Sequence, residues 1–86
     1  MNASVRMYIL NWCGYCHAAR RLLDNKGVQY DVVDVTGDDD TRAWLRGATG
    51  SRTLPQTFIH DKPVGGYTDL VALDRDGKLD ELIAAP

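Results

Sequence analysis

Cysteine is scarce in this 86-residue chain: Cys13 and Cys16 are the only two. That number excludes the multi-bridge framework that staples small secreted domains, and it excludes an all-cysteine metal site. Histidine is equally sparse, with only His17 and His60, so a four-ligand zinc site would need both, and no second cysteine pair exists to replace them. No metal ligand set is expected. Long apolar runs are missing too, and nothing approaches the length of a membrane span. Basic charge is not in excess: ten Lys and Arg stand against twelve Asp and Glu, for a net charge of −2, and the basic residues are scattered. Such a balance argues against general affinity for nucleic acid, and neither nucleic acid nor a membrane is an expected partner. The opening MNASVRMYIL lacks the charged start, the apolar stretch and the small-residue cleavage site of a secretory signal. The expected location is cytoplasmic, where structural disulfides are rare, and a bridge closing only four residues would constrain the unfolded chain little.

What is present suits one small core. A chain of this length buries roughly 60% of its unfolded surface, and the expected organisation is a single domain over residues 1–86. Val5 to Leu10 reads as a buried strand rich in branched and aromatic residues. Apolar positions Cys16, Ala19, Leu22 and Leu23 then recur at helical spacing from Tyr15 to Lys26, with Gly27 as terminator. Val28 to Val35 has the β-branched content of a second strand, so the chain opens as a β-α-β crossover unit. Asp38 or Asp39 can cap a second helix, which Gly47 or Gly50 can end; the acidic cluster at its start reads as a solvated helix N-terminus. Gln56 to His60, a turn at Asp61-Lys62 and Pro63 to Gly65 read as a hairpin. A last helix starts near Thr68 or Asp69 and runs toward Ile83, with a break at Asp76-Gly77. The order is β-α-β-α-β-β-α.

The cysteines stand where the first strand turns into the first helix, and a C-x-x-C placed there reads as a redox site. The first cysteine lies at the positive helix terminus, where free N–H groups favour the thiolate. Cys13 is therefore the expected nucleophile. Cys16 falls one turn behind it, within bridging reach and directed toward the core, and is the expected resolving thiol. Because only thiolates attack disulfides, this pairing orders the reaction: one sulfur opens a foreign disulfide and the other can release it.

Three segments in order resemble the glutaredoxins over nearly the whole chain: Cys13-Gly14-Tyr15-Cys16; Thr53-Leu54-Pro55 with Phe58-Ile59, similar to the family's T-V-P-x-x-F-I; and Gly65-Gly66-Tyr67-Thr68-Asp69-Leu70, similar to its G-G-x-x-D-L. The resemblance implies a thioredoxin fold of the α/β class, with a central four-stranded mixed sheet flanked by helices. It also implies glutathione as reducing co-substrate, and glutathionylated or disulfide-bonded client proteins as partners, served by a monomer. Pro55 would be the family's cis-proline. Leu54 would pair strand-like with the cysteinyl backbone of glutathione, with Thr53 alongside and Tyr15 flanking the sulfur. The backbone at Thr68 and the carboxylate of Asp69 would hold the γ-glutamyl end, as a helix N-terminus and an acceptor for an amino group can.

Two positions depart from the pattern. Where glutathione-using members commonly carry a lysine three residues before the first cysteine, this chain has Leu10. Arg42 matches a family position for a carboxylate-binding side chain and is the candidate anchor for the glycine end, with Arg52 a second. Gly14 replaces the commoner proline, which resembles members that bridge two subunits through a [2Fe-2S] cluster held by the first cysteine and glutathione. The run Trp12-Cys13-Gly14-Tyr15-Cys16 without the lysine also resembles the mycoredoxins, which use mycothiol. The glycine pair and Asp69 favour glutathione as the thiol.

Overall fold

A computed structural model describes residues 4–85. The elements are β1 (Val5–Ile9), α1 (Gly14–Asn25), β2 (Tyr30–Asp34), α2 (Asp39–Thr49), β3 (Gln56–Ile59), β4 (Lys62–Gly65), α3 (Tyr67–Arg75) and α4 (Lys78–Ala84). They build a four-stranded sheet in the order β2-β1-β3-β4. β1 pairs parallel to β2, with Met7 opposite Val32, and antiparallel to β3, with Met7 opposite Thr57. β3 and β4 are antiparallel, so the sheet is mixed, as the thioredoxin fold requires.

Alternation along β1 explains the layers. Val5, Met7 and Ile9 join Cys16, Ala19 and Leu23 of α1, Leu70 of α3 and Leu79 of α4 in one buried cluster. Tyr8 points to the other face and packs with Val35, Leu45 of α2 and Phe58. Both faces of the sheet are thus covered, and all four residues of β3 are buried. Each large aliphatic at these positions contributes about 2–5 kcal/mol by the usual cost of truncation to alanine.

The boundaries differ from the sequence expectation in ways that local hydrogen bonding explains. β1 stops at Ile9, because the Leu10 carbonyl turns away from the sheet to accept from Cys13 N–H at 3.4 Å. α1 ends in a Schellman closure: Gly27 N–H donates to Asp24 O at 3.0 Å and Val28 N–H to Leu23 O at 3.1 Å, with Gly27 at φ 72°. Val28 belongs to that closure, and β2 therefore begins at Tyr30. The hairpin turn sits at His60-Asp61 rather than Asp61-Lys62; both residues have positive φ, 50° and 66°, as the two-residue type I′ loop demands. The last helical stretch divides at Asp76-Gly77 into α3 and α4, giving β-α-β-α-β-β-α-α. Lys26 ties the end of α1 to both pieces, reaching Asp74 at 2.6 Å and Asp80 at 3.1 Å.

Candidate active site

Cys13 is the residue before the first turn of α1 and serves as its N-cap, in extended conformation at φ −95° and ψ 120°. Its Sγ accepts from Cys16 N–H at 3.3 Å, so a sulfur stands where helices usually place an oxygen. The same sulfur lies 3.6 Å from the carbonyl oxygen of Leu54, to which the thiol proton can be donated. Removing that proton exchanges the carbonyl contact for a charge-assisted bond from the helix N–H, and the helix terminus then faces a negative sulfur.

Cys16 differs sharply. It is buried beneath the helix, 1% exposed, and its thiol is pushed up to about 12, first by burial and then by the hydrogen bond with Cys13. At neutral pH it is protonated. Cys13 is half-buried, both thiols are free, and one sulfur is presented while the other waits behind it. The two cysteines expected from the sequence thus differ in access, Cys13 toward the surface and Cys16 enclosed.

The Leu54-Pro55 peptide bond is cis. Beside it opens a groove of about 350 Å³ whose walls include Tyr15, Thr53, Leu54, Pro55, Thr68 and Asp69, six of the residues singled out from sequence. Two glycines let the far wall approach. Gly65 has φ 108°, and a Cβ there would lie 2.6 Å from Asp69 Cγ and 2.8 Å from Asp69 Cβ. A Cβ on Gly66 would lie 3.2 Å from the Pro55 carbonyl. With both absent, Asp69 Oδ2 accepts from Gly66 N–H at 2.9 Å and closes the start of α3. Asp69 is exposed and lines the groove at the start of α3.

Gln56, Tyr67, Thr49 and Ser51 also line the groove and were not singled out from sequence. Gln56 is nearly fully buried and donates through Nε2 to Thr53 O at 2.9 Å, while Thr53 Oγ1 lies 2.9 Å from Ser51 Oγ. Those bonds pin the segment that carries Thr53 and Leu54. The signal in the sequence is a pair of polar residues, Gln56 and Thr57, opening a short strand that ends in Phe58 and Ile59. Tyr67 pairs with Tyr15 across the groove, with ring centroids 6.1 Å apart.

Arg42 lies outside the groove. It lines a shallow depression with Arg46 and Arg52 that shares Ser51, Thr53 and Leu54 with the groove wall. Leu10, the residue in place of the lysine, packs against the Tyr8, Val35, Leu45 and Phe58 cluster. His17 is exposed, and His60 Nε2 lies 3.2 Å from the Ile83 carbonyl at the far end of the sheet. Among the described residues, no three His, Cys, Asp or Glu side chains gather as a metal site would require. A more open depression of about 500 Å³ lies at the α1–β2 edge, lined by Arg20, Asp24 and Tyr30 among others, and shares no residue with the groove.

Residues 5–64 match the family model for glutaredoxin. A glutaredoxin of Pseudomonas aeruginosa is 44% identical over 81 residues, covering 94% of this chain and 96% of that protein. Glutaredoxin 3 of Escherichia coli K12 is 40% identical over 81 residues, covering 94% of this chain and 98% of that one. The crystal structure of a buckwheat glutaredoxin–glutathione complex superposes with a TM-score of 0.90 at 31% identity, covering 94% of this chain and 76% of its own.

Proposed function

Because the chain belongs to the glutaredoxin family of thiol-disulfide oxidoreductases, we propose that it reduces protein–glutathione mixed disulfides, with glutathione as its electron donor. The observation that carries this reading is the placement of Cys13 Sγ 3.6 Å from the Leu54 carbonyl, on the edge of a groove sized for a small peptide. In the proposed pose the cysteinyl backbone of glutathione pairs with Leu54, and Thr53 and Tyr15 flank it. The γ-glutamyl end meets the start of α3, where backbone N–H groups near Thr68 take the carboxylate and Asp69 takes the ammonium. The glycine end then points toward the depression that Arg42 lines.

In the first step the Cys13 thiolate attacks the glutathione sulfur of the mixed disulfide. A Cys13–glutathione disulfide forms, the original S–S bond breaks, and the client leaves as a thiolate that takes a proton from water. A second glutathione thiolate attacks the bound glutathione sulfur, releasing oxidised glutathione and restoring Cys13. Net, one free glutathione is consumed per mixed disulfide: its sulfur and the glutathione sulfur taken from the client leave joined as oxidised glutathione, and the client regains its thiol. With a protein disulfide, the Cys13 thiolate attacks one client sulfur and the other leaves as a thiolate. Cys16 then gives up its proton to water, attacks Cys13 Sγ and releases the reduced client, leaving a Cys13–Cys16 disulfide that two glutathione molecules reduce as they become oxidised glutathione. Burial keeps Cys16 protonated in the resting protein, so Cys13 is the sulfur that opens the client disulfide.

The test is turnover of one glutathionylated substrate with glutathione, mycothiol or a thioredoxin-reductase system offered in turn. Glutathione is expected to support the fastest cycle. Faster turnover with mycothiol would move the protein to that thiol, and an absorption spectrum of anaerobically purified protein showing a cluster would redirect it to iron–sulfur binding.

A further inference from the structure

Ten basic residues look scattered in the sequence, yet the fold gathers three of them at one end of the groove. Arg42 and Arg46 stand four apart on one face of α2, and Arg52 comes from the loop that follows it. All three line one depression, together with Ser51, Thr53 and Leu54 of the groove wall. Among the described residues none of the three makes an ion pair, although the chain has an acidic balance: the salt bridges involve Lys26 and Arg75 instead. The nearest acidic residues in sequence, Asp38 to Asp40, open α2 one turn before Arg42 and two before Arg46; Asp38 is engaged with Thr41, and neither Asp39 nor Asp40 forms an ion pair with the arginines.

Three guanidiniums outnumber what glutathione brings. Its glycine end carries a single carboxylate, so with glutathione bound the rim still holds an excess of positive charge that a second anion can meet. Two bodies reach that edge during the reaction, the client joined to glutathione through sulfur and the incoming second glutathione; a small uncharged mixed disulfide needs only the second, so a comparison of clients against it reads the first. We propose that this arginine rim is a client-selecting surface that takes Asp or Glu side chains flanking the glutathionylated cysteine. The inference rests on the glutathione reading above. In the proposed pose Arg42 takes the glycine end, which leaves Arg46, exposed on the next turn of α2, for the client.

The experiment uses three glutathionylated peptides of equal length with Asp-Glu, Gln-Asn or Lys-Arg flanks, and a small uncharged glutathione mixed disulfide as reference. At low salt the acidic peptide is expected to show kcat/KM roughly three- to fivefold above the neutral one, with the basic peptide below both. Raising ionic strength collapses the difference. With each peptide's kcat/KM divided by that of the small reference in the same variant, Arg46→Glu is expected to reverse the preference and Arg46→Gln to cut the acidic-peptide preference about twofold. Equal kcat/KM for the three peptides, or a preference that Arg46→Glu leaves in place, overturns the inference while the reference reaction continues. Failure to turn over the small reference as well overturns the glutathione reading, and the rim with it.

Discussion

Gly65→Ala is the substitution whose cost follows most directly from the geometry. At φ 108° an alanine is forced into a backbone region that L residues avoid, which costs about 1–3 kcal/mol. Its methyl would also stand 2.6 Å from Asp69 Cγ, so the carboxylate must swing away and Gly66 N–H loses its acceptor. Losing a helix-start bond of this kind costs about 0.5–2 kcal/mol. Together the two effects predict a loss of about 2–4 kcal/mol, a large share of the 5–15 kcal/mol typical of a small domain. Urea unfolding of wild type, Gly65→Ala, Asp69→Ala and the double variant measures it. Asp69→Ala alone should cost about 1 kcal/mol through the lost cap. The double variant should cost less than the sum by about 1 kcal/mol, since the bulk of the group that the methyl strikes is gone. A Gly65→Ala loss below about 0.5 kcal/mol, or strict additivity in the cycle, would refute the claim that Gly65 exists to make room for Asp69.

Two further outcomes follow from the same structure. Cys16 is held protonated up to about 12 against an ordinary 9.0, so the folded state binds the extra proton across that interval. Its contribution to stability is complete below pH 9 and is lost as pH rises from 9 toward 12; urea midpoints at several alkaline pH values should fall more steeply for wild type than for Cys16→Ala, and parallel curves would contradict this. In the hairpin, Asp61 at φ 66° occupies a conformation that glycine adopts without strain. Asp61→Gly should leave thermal stability unchanged or raise it by up to about 1 kcal/mol, whereas Asp61→Val should lower it by about 1–2 kcal/mol.

The cysteine pair, the proline turn and the glycine pair are legible in the sequence because each depends on local chemistry. A thiol at a strand-to-helix junction meets free helix N–H groups, a proline ahead of a strand fixes φ, and two adjacent glycines permit conformations closed to other residues, wherever they occur. Element boundaries are harder to read, since they depend on which carbonyl a given N–H reaches. Val28 looks like strand by side chain and is claimed by the helix closure through its backbone. Gln56 and Tyr67 escape a reading of the chain because their roles need partners distant in space: Gln56 holds Thr53 only after β3 has docked against β1, and Tyr67 meets Tyr15 only across the finished groove. The arginine rim is invisible in the sequence for the same reason. Arg42 and Arg46 share a helix face, but Arg52 joins them only once the loop after Gly50 folds back.

The central claim is that one exposed sulfur at a helix terminus performs the deglutathionylation and the buried one stands in reserve. Initial rates on a glutathionylated peptide with excess glutathione test it, for Cys13→Ser and Cys16→Ser side by side. The account predicts background rates for Cys13→Ser and turnover within the same order of magnitude as wild type for Cys16→Ser. Equal loss in both variants would contradict it.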